Sequence, residues 1–133
     1  MTPAPNPQVT PLQLDVLRAL WQLGEATSSE VLGALAAHRT LAPTTVATLL
    51  RRLEARGLVR HTERGRTHVY RAVVDEASLA REQLVEVTER VFQGDLPGLV
   101  AQLLSTHEVA PGDLARIRAL IEARERELAD GER

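Results

Sequence analysis

The chain has no cysteine. Disulfides, thiolate zinc sites and cysteine nucleophiles are thereby excluded. It has no lysine either, because all sixteen basic residues are arginine. That bias points to genome composition, although the planar guanidinium does suit phosphate and guanine contacts. Aromatic residues are reduced to Trp21, Tyr70 and Phe92, so leucine, valine and alanine must build the core. No apolar run approaches the roughly 20 residues that span a bilayer. The opening MTPAPNPQVTP lacks the apolar segment of a secretory signal. The cytoplasm is the expected compartment, with no membrane partner. A Gly-rich phosphate loop, an HExxH helix and a serine elbow are all missing. Acid pairs such as Glu86/Glu89 and Glu125/Glu127 fall on charged helices, where a solvated face is the usual explanation. Neither an enzyme nor a cofactor is indicated.

What is present is an uneven charge distribution. Residues 39–72 carry eight arginines against two acids, Glu54 and Glu63. Residues 1–38 carry one arginine against three acids, and residues 73–133 seven against thirteen. A formal net charge of −2 therefore conceals a basic block in an acidic body. The local field matters more than the total for a polyanionic partner.

Residues 1–9 read as a flexible tail, since Pro3, Pro5 and Pro7 deny it helix and sheet hydrogen bonds. Thr10-Pro11 then reads as N-cap and first helical residue. Leu14, Leu17 and Trp21 share a face of this first helix, with Leu20 flanking, and Gly24 ends it. Thr27-Ser28-Ser29-Glu30 has the capping-box pattern, and Val31, Leu32 and Leu35 form the stripe of a second helix. Pro43 opens a third, in which Val46, Leu49, Leu50 and Leu53 fall within the ~100° of a core-facing stripe. Gly57 is a suitable stop. Two strand-like runs follow, Leu58 to Thr62 and Thr67 to Arg71, joined through Glu63-Arg64-Gly65-Arg66 as a hairpin. Three helices and a hairpin define a winged helix-turn-helix over residues 10–74.

Residues 75–133 read differently. Asp75 to Phe92 is expected to be helical, with Ala80, Leu84, Val87 and Val91 on one face, and Gly94 breaks it. Leu96, Leu99, Val100, Leu103 and Leu104 form a dense stripe on a short helix. Ala110-Pro111 starts another, carrying Leu114, Ile117, Ile121 and Leu128. Such short amphipathic helices bury too little surface alone, and pairing with a second chain is the simplest remedy. Leu96, Leu99, Val100, Leu103, Ile117 and Ile121 are the expected dimerisation residues. The fold class is mostly α: an N-terminal winged domain followed by C-terminal dimerisation helices.

With its leucines buried, the third helix turns Thr44, Thr48, Arg51 and Ala55 outward, with Thr45, Ala47 and Arg52 at the borders. Short polar side chains near a helix start let the backbone approach a duplex, and hydroxyls and methyls can meet phosphate or base edges. Arg51 and Arg52 can reach phosphate or guanine. The hairpin adds Arg60, Arg64, Arg66 and Arg71, which suit the sugar-phosphate backbone. The ordinary alternatives are a solvated helix face and a hairpin edge guarded by charge. If the turn centres on Arg64-Gly65, His61 and His68 pair directly across the hairpin. Two ligands do not make a metal site, and neither a cysteine nor an obvious third ligand is near, so no metal is assigned. His38 and His107 are isolated.

The segments TPLQLDVLRALWQLGEATSSEVLGAL and LAPTTVATLLRRLEARGLVRHTERGRTHVYRAVV resemble the penicillinase-repressor family, the BlaI/MecI-type winged-helix repressors. So does the acidic tail with LPGLVAQLL and APGDLARIRALIE. The carrying features are Trp21, the Pro-Thr-Thr-Val-x-Thr-Leu-Leu-x-Arg-Leu run, Gly57 and the Gly-Arg wing, and the likeness extends from Thr10 to about Leu128. It implies a homodimeric repressor with an N-terminal DNA reader and a pseudo-palindromic operator in double-stranded DNA. Relatives induced by a sensor protease are cut at an Asn-Phe bond, whereas the single Phe92 here follows Val91. Copper-responsive relatives carry a Cys-rich motif that this chain lacks. Two other classes stay open on sequence: a winged-helix protein-interaction module, and a metal sensor built on His61 and His68.

Overall fold

The computed structural model describes residues 9–131. The expected tail of residues 1–9 lies, Val9 apart, outside the described residues. The element order is α1 (Pro11–Leu23), β1 (Ala26–Thr27), α2 (Ser28–Leu35), α3 (Pro43–Ala55), β2 (Val59–Arg64), β3 (Thr67–Ala72), α4 (Glu76–Arg90), α5 (Leu96–Thr106) and α6 (Pro111–Gly131). These elements form two compact units that meet between Val87 and Thr88, within α4.

Local chemistry explains the boundaries of the first unit. Thr10 caps α1 with Pro11 in its first turn, and Gln13 completes a capping box. Thr27 caps α2, and its reciprocal partner is Glu30. Pro43 begins α3. At its end the N–H of Gly57 donates to the Glu54 carbonyl at 2.9 Å, and the N–H of Leu58 to the Leu53 carbonyl at 3.0 Å. Gly57 has φ +78°. This is a Schellman termination, which a Cβ-bearing residue would strain. The sheet has the order β1-β3-β2, with both pairings antiparallel. β1 has only two residues, too short for any alternation to mark it in the sequence.

Val16, Leu17, Leu20, Val31, Val46, Leu50, Leu53 and Val59 are fully buried and make the core. In α1 the deepest face therefore runs through Val16, Leu17 and Leu20. Leu14 and Trp21, expected at the centre of the stripe, pack at its edge. The Trp21 indole N–H donates to the Val74 carbonyl at 2.9 Å, which explains its marginal place. The first turns of α4 join this core through Leu79, and the Val9 N–H donates to Gln83 Oε1 at 3.3 Å. Within α4, Leu79 is buried in this core, while along the row expected to share one face Ala80, Leu84 and Val91 lie exposed and Val87 half-buried in the single chain. Several apolar faces fit one periodicity, and docking onto the winged unit selects the one with Leu79.

In the second unit, Asp95 caps α5 by accepting from the Gly98 N–H at 3.1 Å. α6 runs for 21 residues without one buried side chain.

Candidate nucleic-acid interface

Burial of Val46, Leu49, Leu50 and Leu53 fixes how α3 presents its other side. Thr44, Arg51, Arg52 and Ala55 are exposed, while Thr45, Ala47 and Thr48 are half-buried at or beside the core boundary. Arg51 Nη2 donates to Thr48 Oγ1 at 3.2 Å, which lays the guanidinium along the helix face. The 3.6-residue period puts Ala47, Arg51 and Glu54 on the edge turned to the hairpin, and Thr45 and Arg52 on the opposite edge.

The hairpin register is Val59↔Ala72, Arg60↔Arg71, His61↔Tyr70, Thr62↔Val69, Glu63↔His68 and Arg64↔Thr67. The turn is therefore Gly65-Arg66, and His61 faces Tyr70, not His68 as Arg64-Gly65 would have required. The reason is backbone geometry. A two-residue turn matched to strand twist takes positive φ at its first central position in the II′ form. Gly65 supplies φ +66°, and Arg66 is not among the described residues with positive φ.

Strand alternation then divides the wing. His61, Glu63, His68 and Tyr70 share one face. Arg60, Arg64 and Arg71 share the other, beside Glu25, and Arg64 Nη2 lies 2.6 Å from Glu25 Oε1. Arg66 stands at the turn and is exposed. A groove of about 480 Å³ runs between the two elements, bordered by Ala47, Arg51 and Glu54 of α3 and by His61, Arg66, Thr67, His68 and Tyr70 of the wing. Thr27, Ser28 and Ser29 at the start of α2 close one side. Of the nine expected nucleic-acid residues, the fold thus brings Arg51 and Arg66 to one groove. Arg60, Arg64 and Arg71 lie behind it on the reverse of the wing. The serines of α2 and the Glu54 carboxylate were missed on sequence, because only the tertiary fold carries them to this groove.

Glu54 is the joint between helix and wing. One of its oxygens accepts from the His61 backbone N–H at 3.1 Å and lies 2.7 Å from His61 Nδ1. Burial, helped by the Glu54 charge, pushes the Tyr70 phenol above its ordinary value. The expectation that no third ligand stands near the histidines is also overturned. His61, Glu63 and His68 each offer a ligand atom within 4.8 Å of the others. Two strand positions separate His61 from Glu63, and the register brings His68 opposite the latter. The remaining arginines of the basic block hold the scaffold: Arg39 pairs with Asp15 at 2.7 Å, and Arg56 Nη1 donates to Gln13 Oε1 at 3.2 Å.

In the second unit the expected dimerisation residues separate by burial. Leu99 is buried within its own chain, so a partner is not needed to cover it. Val100 and Ile117 are half-buried, whereas Leu96, Leu103 and Ile121 are 59%, 46% and 52% exposed. Among the described residues no helix is long and apolar enough to cross a membrane.

A helix-turn-helix with hydroxyls and arginine on its second helix and a basic wing beside it defines a winged-helix protein that binds DNA. The sequence profile of the penicillinase repressor family matches residues 9–123. The chain belongs to that family, and is a transcriptional repressor and not an enzyme. The penicillinase repressor of Bacillus licheniformis is 25% identical over 116 residues, covering 87% of this chain and 91% of that protein. The methicillin resistance regulatory protein MecI of Mammaliicoccus sciuri is 17% identical over 114 residues, or 86% of this chain and 93% of that one. YusO from Bacillus subtilis shares the fold, with a TM-score of 0.51 at 23% identity over 90% of this chain and 75% of its own.

Proposed function

We propose that the chain represses transcription in the cytoplasm as a homodimer seated on a pseudo-palindromic operator. Residues 10–74 carry the DNA-facing surface, and residues 75–133 the dimerisation region. Thr44, Thr48 and Arg51 face the base edges, with Thr45 and Arg52 at the margin. Arg66 meets the backbone at the wing tip, and Arg60, Arg64 and Arg71 add positive field from the wing's reverse face. Ser28 and Ser29 offer hydroxyls at a helix start, where a phosphate is also favoured by the helix dipole.

The observation that carries this reading is the groove bordered by Arg51 on α3 and Arg66 on the wing. Dimerisation is supported by the exposed apolar residues of α5 and α6, Leu96, Leu103, Leu104, Leu114, Leu120 and Ile121, the kind of side chain that a protein–protein contact covers. Mapping the bound DNA across the genome and footprinting the strongest site tests both parts. An inverted repeat with half-sites about one helical turn apart, or a multiple of it, is expected. A footprint confined to one half-site, bound by a monomer in sedimentation, would overturn the dimeric reading.

A further inference from the structure

At the wing side of the helix–wing groove, which His61 and His68 border, lies a cluster to which the proposed DNA reading assigns no role. His61 and Glu63 alternate onto the face of β2 turned toward α3, and the Glu63↔His68 pairing sets His68 on the same face. Their ligand atoms lie within 4.8 Å of one another, with His68 Nε2 3.4 Å from Glu63 Oε1. The two imidazoles stack with centroids 4.1 Å apart. Two histidines and one carboxylate are a ligand set that zinc accepts, with water in the fourth position. Glu54 supplies the second observation. It takes the Nδ1 side of His61 at 2.7 Å, which leaves Nε2 as the ligand atom. A carboxylate behind a histidine is the outer partner that metal-bound imidazoles characteristically have.

We propose that His61, Glu63 and His68 bind one divalent transition-metal ion of the zinc class, with Glu54 as the residue that orients His61. A nitrogen-and-oxygen set without sulfur favours zinc, nickel, cobalt or copper(II) over magnesium and calcium. The stacked rings lie in nearly parallel planes, 12° apart, so the imidazoles must tilt to share one ion. The half-exposed His68 has room to tilt, and the exposed Glu63 side chain has room to follow. His61 and His68 border the groove of the DNA reading, but none of the ligands is among the residues assigned to DNA, so a metal titration without DNA can fail or succeed separately from that reading.

The test is calorimetric titration of tag-free, chelator-stripped full-length protein with zinc chloride, without DNA. Saturable uptake of one ion per chain is expected. His61→Ala and His68→Ala should each weaken uptake at least tenfold, and Glu54→Gln by about 10- to 100-fold. His38→Ala and His107→Ala should leave it unchanged. Circular dichroism matching the parent's separates lost ligation from misfolding. Absence of saturable uptake at micromolar zinc, or uptake that survives in the His61→Ala/His68→Ala double variant, overturns the site.

Discussion

The Nδ1 of His61 stands 2.7 Å from Oε2 of Glu54, and the same oxygen accepts the His61 backbone N–H at 3.1 Å. One carboxylate from the last turn of α3 therefore holds the wing by its main chain and its side chain together. Glu54→Ala removes both bonds. We expect a loss of about 1–2 kcal/mol in unfolding free energy, the range for hydrogen bonds to a charged group at a partly exposed site. Glu54→Gln, whose amide oxygen can still accept from the His61 N–H, is expected to recover part of it. Urea denaturation of the three proteins checks the order.

Arg51 and Arg66 are expected to fail in different ways. Arg51→Ala should weaken operator binding by about 1–3 kcal/mol and relax sequence preference if it reads a base. Arg66→Ala should weaken all duplexes alike and flatten the salt dependence by about 0.9 in log–log slope per lost phosphate contact. Anisotropy titrations at several salt concentrations, on operator and on scrambled duplex, distinguish the two.

Leu79 is 3% exposed and belongs to the core of the winged unit. Leu79→Ala is expected to destabilise that unit by about 2–5 kcal/mol, as for a buried leucine that leaves a cavity. A chain cut after Val74 lacks Leu79 as well as the Gln83 bond to Val9, so it should melt below one cut after Arg90. Thermal melts of the two fragments give the comparison.

Leu103 is exposed on α5 within its own chain. Leu103→Asp should therefore leave the folded monomer largely intact while placing an unpaired charge in the proposed interface. Sedimentation is expected to show a monomer, and operator affinity should fall because the second half-site no longer binds as part of one unit. A dimer of unchanged stability would remove Leu103 from the interface.

Two caps are expected to contribute to the acid limb of stability. The Thr27 N–H holds the Glu30 carboxyl below its ordinary 4.5, and the Ser78 N–H holds Asp75 below its ordinary 3.8. A folded-state value below the unfolded one contributes stability above the unfolded value. That contribution is lost as pH falls through the folded value. Melting temperature should accordingly decline below about pH 4.5, and less steeply in Glu30→Gln and Asp75→Asn. Identical acid limbs in parent and variants would show that these caps do not govern it.

The features legible in the sequence are those fixed by a few neighbouring residues. Thr10-Pro11, Thr27 with Glu30, Pro43 and Gly57 each mark a helix boundary because capping acts over three or four positions. The stripe of α3 is equally plain, and with it the exposed positions of Thr44 and Arg51, whereas Thr48, expected to face outward, sits half-buried beside the core. The hairpin was legible but its register was not: Arg64-Gly65 and Gly65-Arg66 both place a glycine in the turn, and only the sign of φ at each position decides. That shift of two residues is what brings Glu63, not His61, opposite His68. Glu54 meets His61 across seven positions of chain, and Ser28 meets the wing across some forty. No local pattern records such encounters. The core role of Leu79 in α4 is not legible, because the choice among the helix's apolar rows is made by the surface it lies on.

Between Ala55, the last residue of α3, and Val59, the first of β2, stand only three residues. Gly57 locks the corner and Glu54 braces it from inside. Helix and wing thus form a caliper whose gauge is set by a three-residue corner and by the bonds from Glu54, which restrict how far the jaws can open to suit the object. In the proposed complex the duplex must do the conforming. Groove width and stiffness between the two jaws then enter the binding energy directly. Steps that deform easily are favoured even at base pairs that no side chain reaches, and part of the operator's identity is written in its mechanics.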